Sequence, residues 1–130
     1  MSVGVIDAGI AIAWIRGATR GRRALDRLYT ACRGGRASLV ISVVNLAEVL
    51  VHTEPYAHAS GVDPVAFLKA SGVRIHAPDE AIARRVAKLK TSLADGFAAA
   101  TAQELGARLH TTDAELVRQL QGARLAITRY

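Results

Sequence analysis

Four acidic residues stand apart from the other acids of this 130-residue chain, because each interrupts an apolar or small-residue stretch. Asp7 closes the run Val3-Gly4-Val5-Ile6. Glu48 lies within Leu46-Ala47-Glu48-Val49-Leu50-Val51, Asp95 within Leu93-Ala94-Asp95-Gly96-Phe97-Ala98, and Asp113 within Thr111-Thr112-Asp113-Ala114-Glu115. A carboxylate buried without a partner is expensive, so Glu48 in its apolar turn must reach water, a cation or a metal. Carboxylates gathered at one place repel each other by about 4 kcal/mol per close pair at a protein-surface dielectric. A divalent cation makes such a cluster tolerable, and oxygen-only donors suit Mg²⁺ or Mn²⁺. An acidic metal site on a basic protein points to phosphodiester hydrolysis. The ion acidifies the attacking water and offsets charge on the phosphate, while arginines hold the strand.

Each of these acids also has a structural explanation. Asp7 suits a helix N-cap at the positive end of the dipole. Glu48 could be the solvated residue of a helix face. Asp95 stands at the third helical position of a capping box opened by Ser92, although Glu or Gln is usual there. Thr112 and Glu115 make a better capping box, which leaves Asp113 free for other work.

The elements that must position these residues follow from periodicity. Val3 to Ile6 is the short uncharged run of a strand buried on both faces, as in the middle of a parallel sheet. Ile10–Ile15 reads as a short helix and Thr19–Cys32 as a longer one, with Leu25, Leu28, Tyr29 and Cys32 on one face and Gly34-Gly35 as the stop. Ser38–Ser42 is a second strand, followed by a helix from Val44 to Val51. Thr53–Gly61, with Pro55 and His58, reads as a loop, and Asp63-Pro64 opens a helix through Ala70. Val73–Ile75 is a third strand. Asp79 caps a helix to about Thr91, and Ser92 starts another through Leu105, ended by Gly106. Arg108–Thr111 is a fourth strand, Thr112 caps a helix to Gln121, and Leu125–Ile127 is a fifth. Strands alternating with helices predict an α/β fold: one domain over residues 1–130, three layers, α/β/α, around a parallel sheet of about five strands. Asp7, Asp95 and Asp113 each fall at a strand-to-helix or loop-to-helix junction, with Glu48 one turn into a helix. In a parallel sheet the strand ends face one crevice.

Composition narrows the partners. The net charge is +6, from 17 Lys and Arg against 11 Asp and Glu. Seven arginines (Arg16, Arg20, Arg22, Arg23, Arg27, Arg33, Arg36) lie between residues 16 and 36, opposed only by Asp26. That distribution favours a polyanion, nucleic acid first, with Arg16, Arg20, Arg22 and Arg23 as its leading contacts. Aromatic residues are only 5%, too few for a base-stacking platform. No apolar run approaches the ~18 residues of a membrane span, and no secretion signal opens the chain. A single cysteine, Cys32, excludes an internal disulfide, so a cytoplasmic protein is expected. The four histidines show no metal-ligand spacing and read as ordinary surface or structural residues; Cys32 and Trp14 read as core. Ile12, Ile15 and Leu28 are candidate exposed apolar residues for a partner surface.

Taken together, Asp7 after the first strand, Glu48 in "LAEVL", Asp95 in "LADGFAAATA" and Asp113 in "TTDAEL" resemble the four acidic positions of the PIN domain. In size and spacing the sequence is most similar to its VapC toxin branch, over nearly the whole chain. The resemblance implies a Mg²⁺- or Mn²⁺-dependent endoribonuclease cutting structured or single-stranded RNA, leaving a 5′-phosphate and a 3′-hydroxyl. It also implies a VapB-type antitoxin as inhibitor and a homodimer. By position, Asp7, Glu48, Asp95 and Asp113 would be metal ligands or water activators, with Thr111 and Asn45 supporting them. Two features depart from the pattern: Ala8-Gly9 carries no hydroxyl where the family usually has one, and Asn45 stands where Thr or Ser is common. Such support can be worth about 10–100-fold in metal affinity, so these departures leave room for weak or metal-starved activity.

Two rival readings follow from the same residues. One is a catalytically inert PIN-like module that binds RNA or protein, supported by the missing hydroxyls. The other is a phosphotransfer or phosphatase domain. It is disfavoured by Gly9 where a dehalogenase-type fold needs a second Asp, and by His76-Ala77 where a receiver domain needs its phospho-accepting Asp.

Overall fold

The sheet grows outward from β1 (Val3–Ile6), whose Val5 and Ile6 are fully buried on opposite faces. The computed structural model describes residues 3–130. Five strands lie in the order β3-β2-β1-β4-β5, and all four pairings are parallel. The others are β2 (Ser38–Ser42), β3 (Arg74–His76), β4 (Arg108–Thr111) and β5 (Ile127–Arg129). From β1 the chain builds β2 and β3 on one side, then returns to add β4 and β5 on the other. The order therefore reverses beside β1, the switch point at which such sheets open a ligand crevice at their carboxyl ends.

Helices cover both faces. Ile6, Leu39 and Ile41 meet α1 (Ala8–Ile15), α2 (Arg23–Arg33), α3 (Val43–Ser60) and α4 (Pro64–Ala70) through Ile10, Leu25, Val49 and Leu68. Val5 and Leu109 meet α6 (Leu93–Leu105) and α7 (Ala114–Gln119) through Ala98, Ala99, Ala102 and Leu116, with Leu120 at the α7 C-cap. α5 (Glu80–Lys88) packs on α6 through Ile82, Val86 and Ala100. This is the three-layer α/β/α architecture expected from the sequence. The small residues of α6 allow close approach: a Cβ on Gly96 would stand 3.0 Å from Val86 Cγ1. Gly4, unusual in a buried strand, has a similar cause, since a Cβ there would come 2.6 Å from His110 Nε2.

Several sequence expectations need correction. The segment Thr53–Gly61 is not a loop: α3 runs unbroken to Ser60 with Pro55 inside it, and Gly61 ends it in the left-handed conformation at φ +74°. Proline there removes one helical N–H. The helix survives because Val49 and Thr53, one turn apart, are fully buried, and the Thr53 hydroxyl donates to the Val49 carbonyl at 2.7 Å. The helix expected from Thr19 starts at Arg23, leaving residues 16–22 as turns. α5 ends at Lys88 and α7 at Gln119, both short of the sequence estimate. β3 and β5 lie one and two residues later than expected. Ile15 is 4% exposed and belongs to the core, not to a partner surface. Trp14 and Cys32 are buried as expected, Trp14 donating from Nε1 to the Leu25 carbonyl at 3.3 Å. Among the described residues no helix is long and apolar enough to cross a membrane.

Candidate active site

Asp7, Glu48, Asp95 and Asp113 line one cavity of about 260 Å³, together with Ala8, Gly9, Ile12, His52 and Thr112. It lies at the carboxyl ends of β1 and β4, beside the switch point. Four separate elements contribute the acids: the β1–α1 junction, α3, the first turn of α6 and the β4–α7 junction.

Asp7 is 5% exposed and carries two tasks at once. Its Oδ1 accepts from the Ile10 N–H at 3.0 Å and caps α1; its Oδ2 accepts from the Thr111 hydroxyl. Burial pushes its pKa above the ordinary aspartate value, the Thr111 and Ile10 hydrogen bonds pull it back, and the charges of Asp95 and Asp113 push it up again. This group gains from a neighbouring cation.

Thr111 is fully buried and links the first and last acids, because its oxygen also accepts from the Asp113 N–H at 3.0 Å. Asp113, not Thr112, is the N-cap of α7: its Oδ1 accepts from the N–H groups of Glu115 and Leu116 at 2.9 and 3.2 Å. Glu115 turns to Arg118 and does not close a capping box. The cap occupies only Oδ1, so Oδ2 of Asp113 is left for the cavity.

Asn45, fully buried, donates from Nδ2 to Glu48 Oε1 at 3.1 Å and to the Ala94 carbonyl at 2.9 Å. It therefore fixes the Glu48 carboxylate and ties α3 to the turn that carries Asp95. Ser92 caps α6 by accepting from the Asp95 N–H at 3.3 Å, which uses the backbone of Asp95 and leaves its carboxylate to the cavity.

His52, read from the sequence as an ordinary surface residue, lines the same cavity. It follows Glu48 by one helical turn on α3, a spacing that puts both on one face; ending the helix at Val51 hid this. The Arg16 guanidinium donates to the backbone carbonyl of His52; Arg16, the exposed C-cap of α1 one turn beyond Ile12, is not itself part of the lining. Arg20, Arg22 and Arg23 are exposed on the turns and first helical residue that follow. The later cations Arg84 and Arg85 are partly spent in surface pairs with Glu80 and Glu104. His58, His76 and His110 stand outside the cavity lining.

The donor set suits a hard divalent ion, since all four acidic groups offer oxygen. Their side chains are spread around the wall: among the described residues, no three His, Cys, Asp or Glu groups stand close enough to enclose a metal ion. A larger cavity, about 810 Å³, opens near the amino ends of β1, β2 and β4, but no acidic side chain lines it.

Comparison with known proteins agrees with this architecture. The structure superposes on a toxin–antitoxin complex from Klebsiella pneumoniae with a TM-score of 0.70 at 24% identity, covering 98% of each chain. It superposes on VapBC2 from Rickettsia felis, bound to a DNA fragment from its promoter, with a TM-score of 0.72 at 16% identity and 98% of each chain. VapBC-1 from nontypeable Haemophilus influenzae gives 0.64 at 20% identity, over 98% of this chain and 97% of that one. These likenesses show a shared fold. No curated protein matches the sequence significantly. The family model of the PIN domain matches residues 4–120, a span that begins in β1 and contains all four acids, and the chain belongs to the PIN domain family.

Proposed function

We propose that this protein is a divalent-metal-dependent endoribonuclease of the VapC toxin type, held in check by a VapB-type antitoxin. The observation that carries the reading is the meeting of Asp7, Glu48, Asp95 and Asp113 in one cavity at the switch point of the sheet. A cavity lined by four acids is a poor place for an RNA backbone unless a cation stands between them. Asp7, Glu48, Asp95 and Asp113 would hold that cation, Mg²⁺ or Mn²⁺. Its contribution would be to acidify water and offset phosphate charge.

The chain's own residues do the positioning. Thr111 holds Asp7 and the Asp113 backbone in register, and Asn45 holds Glu48 against the α6 turn. Asp95 and Asp113 keep carboxylate oxygens free to accept a proton from water. Arg16, bonded to the His52 carbonyl, and the exposed Arg20, Arg22 and Arg23 would give the phosphate backbone a positive approach. The toxin–antitoxin character of the structural neighbours supports the antitoxin proposal, and a homodimer is the expected state of the free protein.

The test is cleavage of an RNA panel by the purified, antitoxin-free protein with Mg²⁺ or Mn²⁺, beside EDTA and an Asp95→Asn variant. Cleavage abolished by both supports the reading. RNA binding without cleavage would replace it with the inert binding module, which the absence of a hydroxyl at Ala8-Gly9 favours.

A further inference from the structure

Position 9 lacks a side chain for a reason visible in the cavity. A Cβ on Gly9 would stand 2.6 Å from Thr112 Oγ1, 3.5 Å from Asp7 Oδ1 and 4.0 Å from Thr112 Cβ. Gly9 lies within α1 and is not among the glycines with positive φ, so its backbone would accept any small residue. Only the Thr112 hydroxyl stands in the way. That hydroxyl caps nothing, because Asp113 caps α7, and none of the hydrogen bonds among the described residues uses it. It is half-buried in the wall of the acidic cavity. A hydroxyl without a protein partner, set among carboxylates, is placed to donate to or accept from water held by them.

We infer that Thr112 is a positioning residue of the site, its hydroxyl delivered from the β4–α7 junction into space kept open by Gly9. This deepens the nuclease reading and rests on it. Hard divalent ions keep several of their waters, and a hydroxyl in the wall of the acidic cavity would help to orient one of them. The hydroxyl that Ala8-Gly9 lacks is thus supplied from the adjoining β4–α7 junction.

Three variants separate the hydroxyl from the shape it fills. Thr112→Ala removes both. Gly9→Ala with Thr112→Ala restores bulk without oxygen; its two Cβ atoms would sit at the ordinary contact distance of 4.0 Å. Gly9→Ser with Thr112→Ala returns an oxygen to the vacated space from α1. Mn²⁺ affinity, read as the metal-dependent rise in Tm, and RNA cleavage are measured for each beside the wild type. Thr112→Ala and the double alanine should lose about 10-fold in Mn²⁺ affinity and at least as much in kcat, and the serine double variant should recover most of both. Equal behaviour of the two double variants would overturn the role of the hydroxyl while leaving the nuclease reading intact. A wild type that cleaves RNA without binding Mn²⁺ would also overturn it. A wild type that neither binds Mn²⁺ nor cleaves RNA would overturn both.

Discussion

The hydroxyl of Thr111 donates to the carboxylate of Asp7 across 104 positions of sequence, while its oxygen accepts from the Asp113 N–H. One buried side chain thereby sets the spacing of two acids that follow neighbouring strands, β1 and β4. Thr111→Val keeps the shape and removes both bonds, leaving a buried carboxylate oxygen and an N–H without partners. The expected cost is about 2 kcal/mol in denaturant unfolding, with RNA cleavage reduced by at least about 10-fold.

Asp7 is kept at the expense of stability. Its folded pKa is raised, so the folded protein holds this proton more tightly than the unfolded chain does. The resulting stability is present below the ordinary aspartate value and is lost as pH rises through the folded pKa. Asp7→Asn should therefore raise the Tm of the metal-free protein at pH 7, and the gain should vanish below about pH 4. The same substitution should abolish cleavage. A lower Tm at pH 7 would show that the carboxylate is already paid for by its hydrogen bonds.

His110 gives the opposite pH signature. It is 9% exposed, its Nδ1 lies 2.8 Å from the Tyr130 hydroxyl, and burial, with the Arg108 charge second, lowers its pKa to about 4. The unfolded chain then binds a proton that the folded one refuses. Stability from this group is full above the ordinary histidine value near 6.5 and is lost progressively as pH falls toward 4. NMR titration of the His110 ring should show it neutral at pH 5.5, and His110→Gln should flatten the loss of Tm between pH 7 and 4.5.

Asn45 uses both amide hydrogens on oxygen acceptors, so a charge-changing substitution of the same shape is severe. Asn45→Asp would face Glu48 and the Ala94 carbonyl with a carboxylate. Unfolding stability at pH 7 should fall by more than ~2 kcal/mol, with partial recovery at pH 4 as carboxylates protonate.

The sheet was legible because buried parallel strands are short apolar runs, and Asp7 and Asp113 follow the ends of two of them. Helix α6 was legible from Ser92 to Gly106 for a similar local reason: a side-chain cap at one end and a glycine at φ +59° at the other. What stayed hidden depends on contacts distant in sequence. Pro55 reads as a breaker until Val49 and Thr53 are seen buried beneath it. Thr112 reads as a cap until its hydroxyl is found beside Gly9, leaving the cap to Asp113. His52 became part of the cavity only when α3 continued past Val51. The four acids were visible as residue types; the hydrogen bonds of Thr111 and Asn45 that aim them were not, because they span elements.

Calorimetric titration of the metal-free protein with Mn²⁺ decides whether the acidic cavity is a divalent-cation site. Wild type is compared with Asp95→Asn, Asp113→Asn and, as a control, Asp79→Asn, whose carboxylate caps α5 away from the cavity lining. Saturable binding is expected, weakened by at least about 10-fold in the first two variants and unchanged in the control. Absent binding, or binding indifferent to Asp95 and Asp113, would rule out a cation site built from these acids.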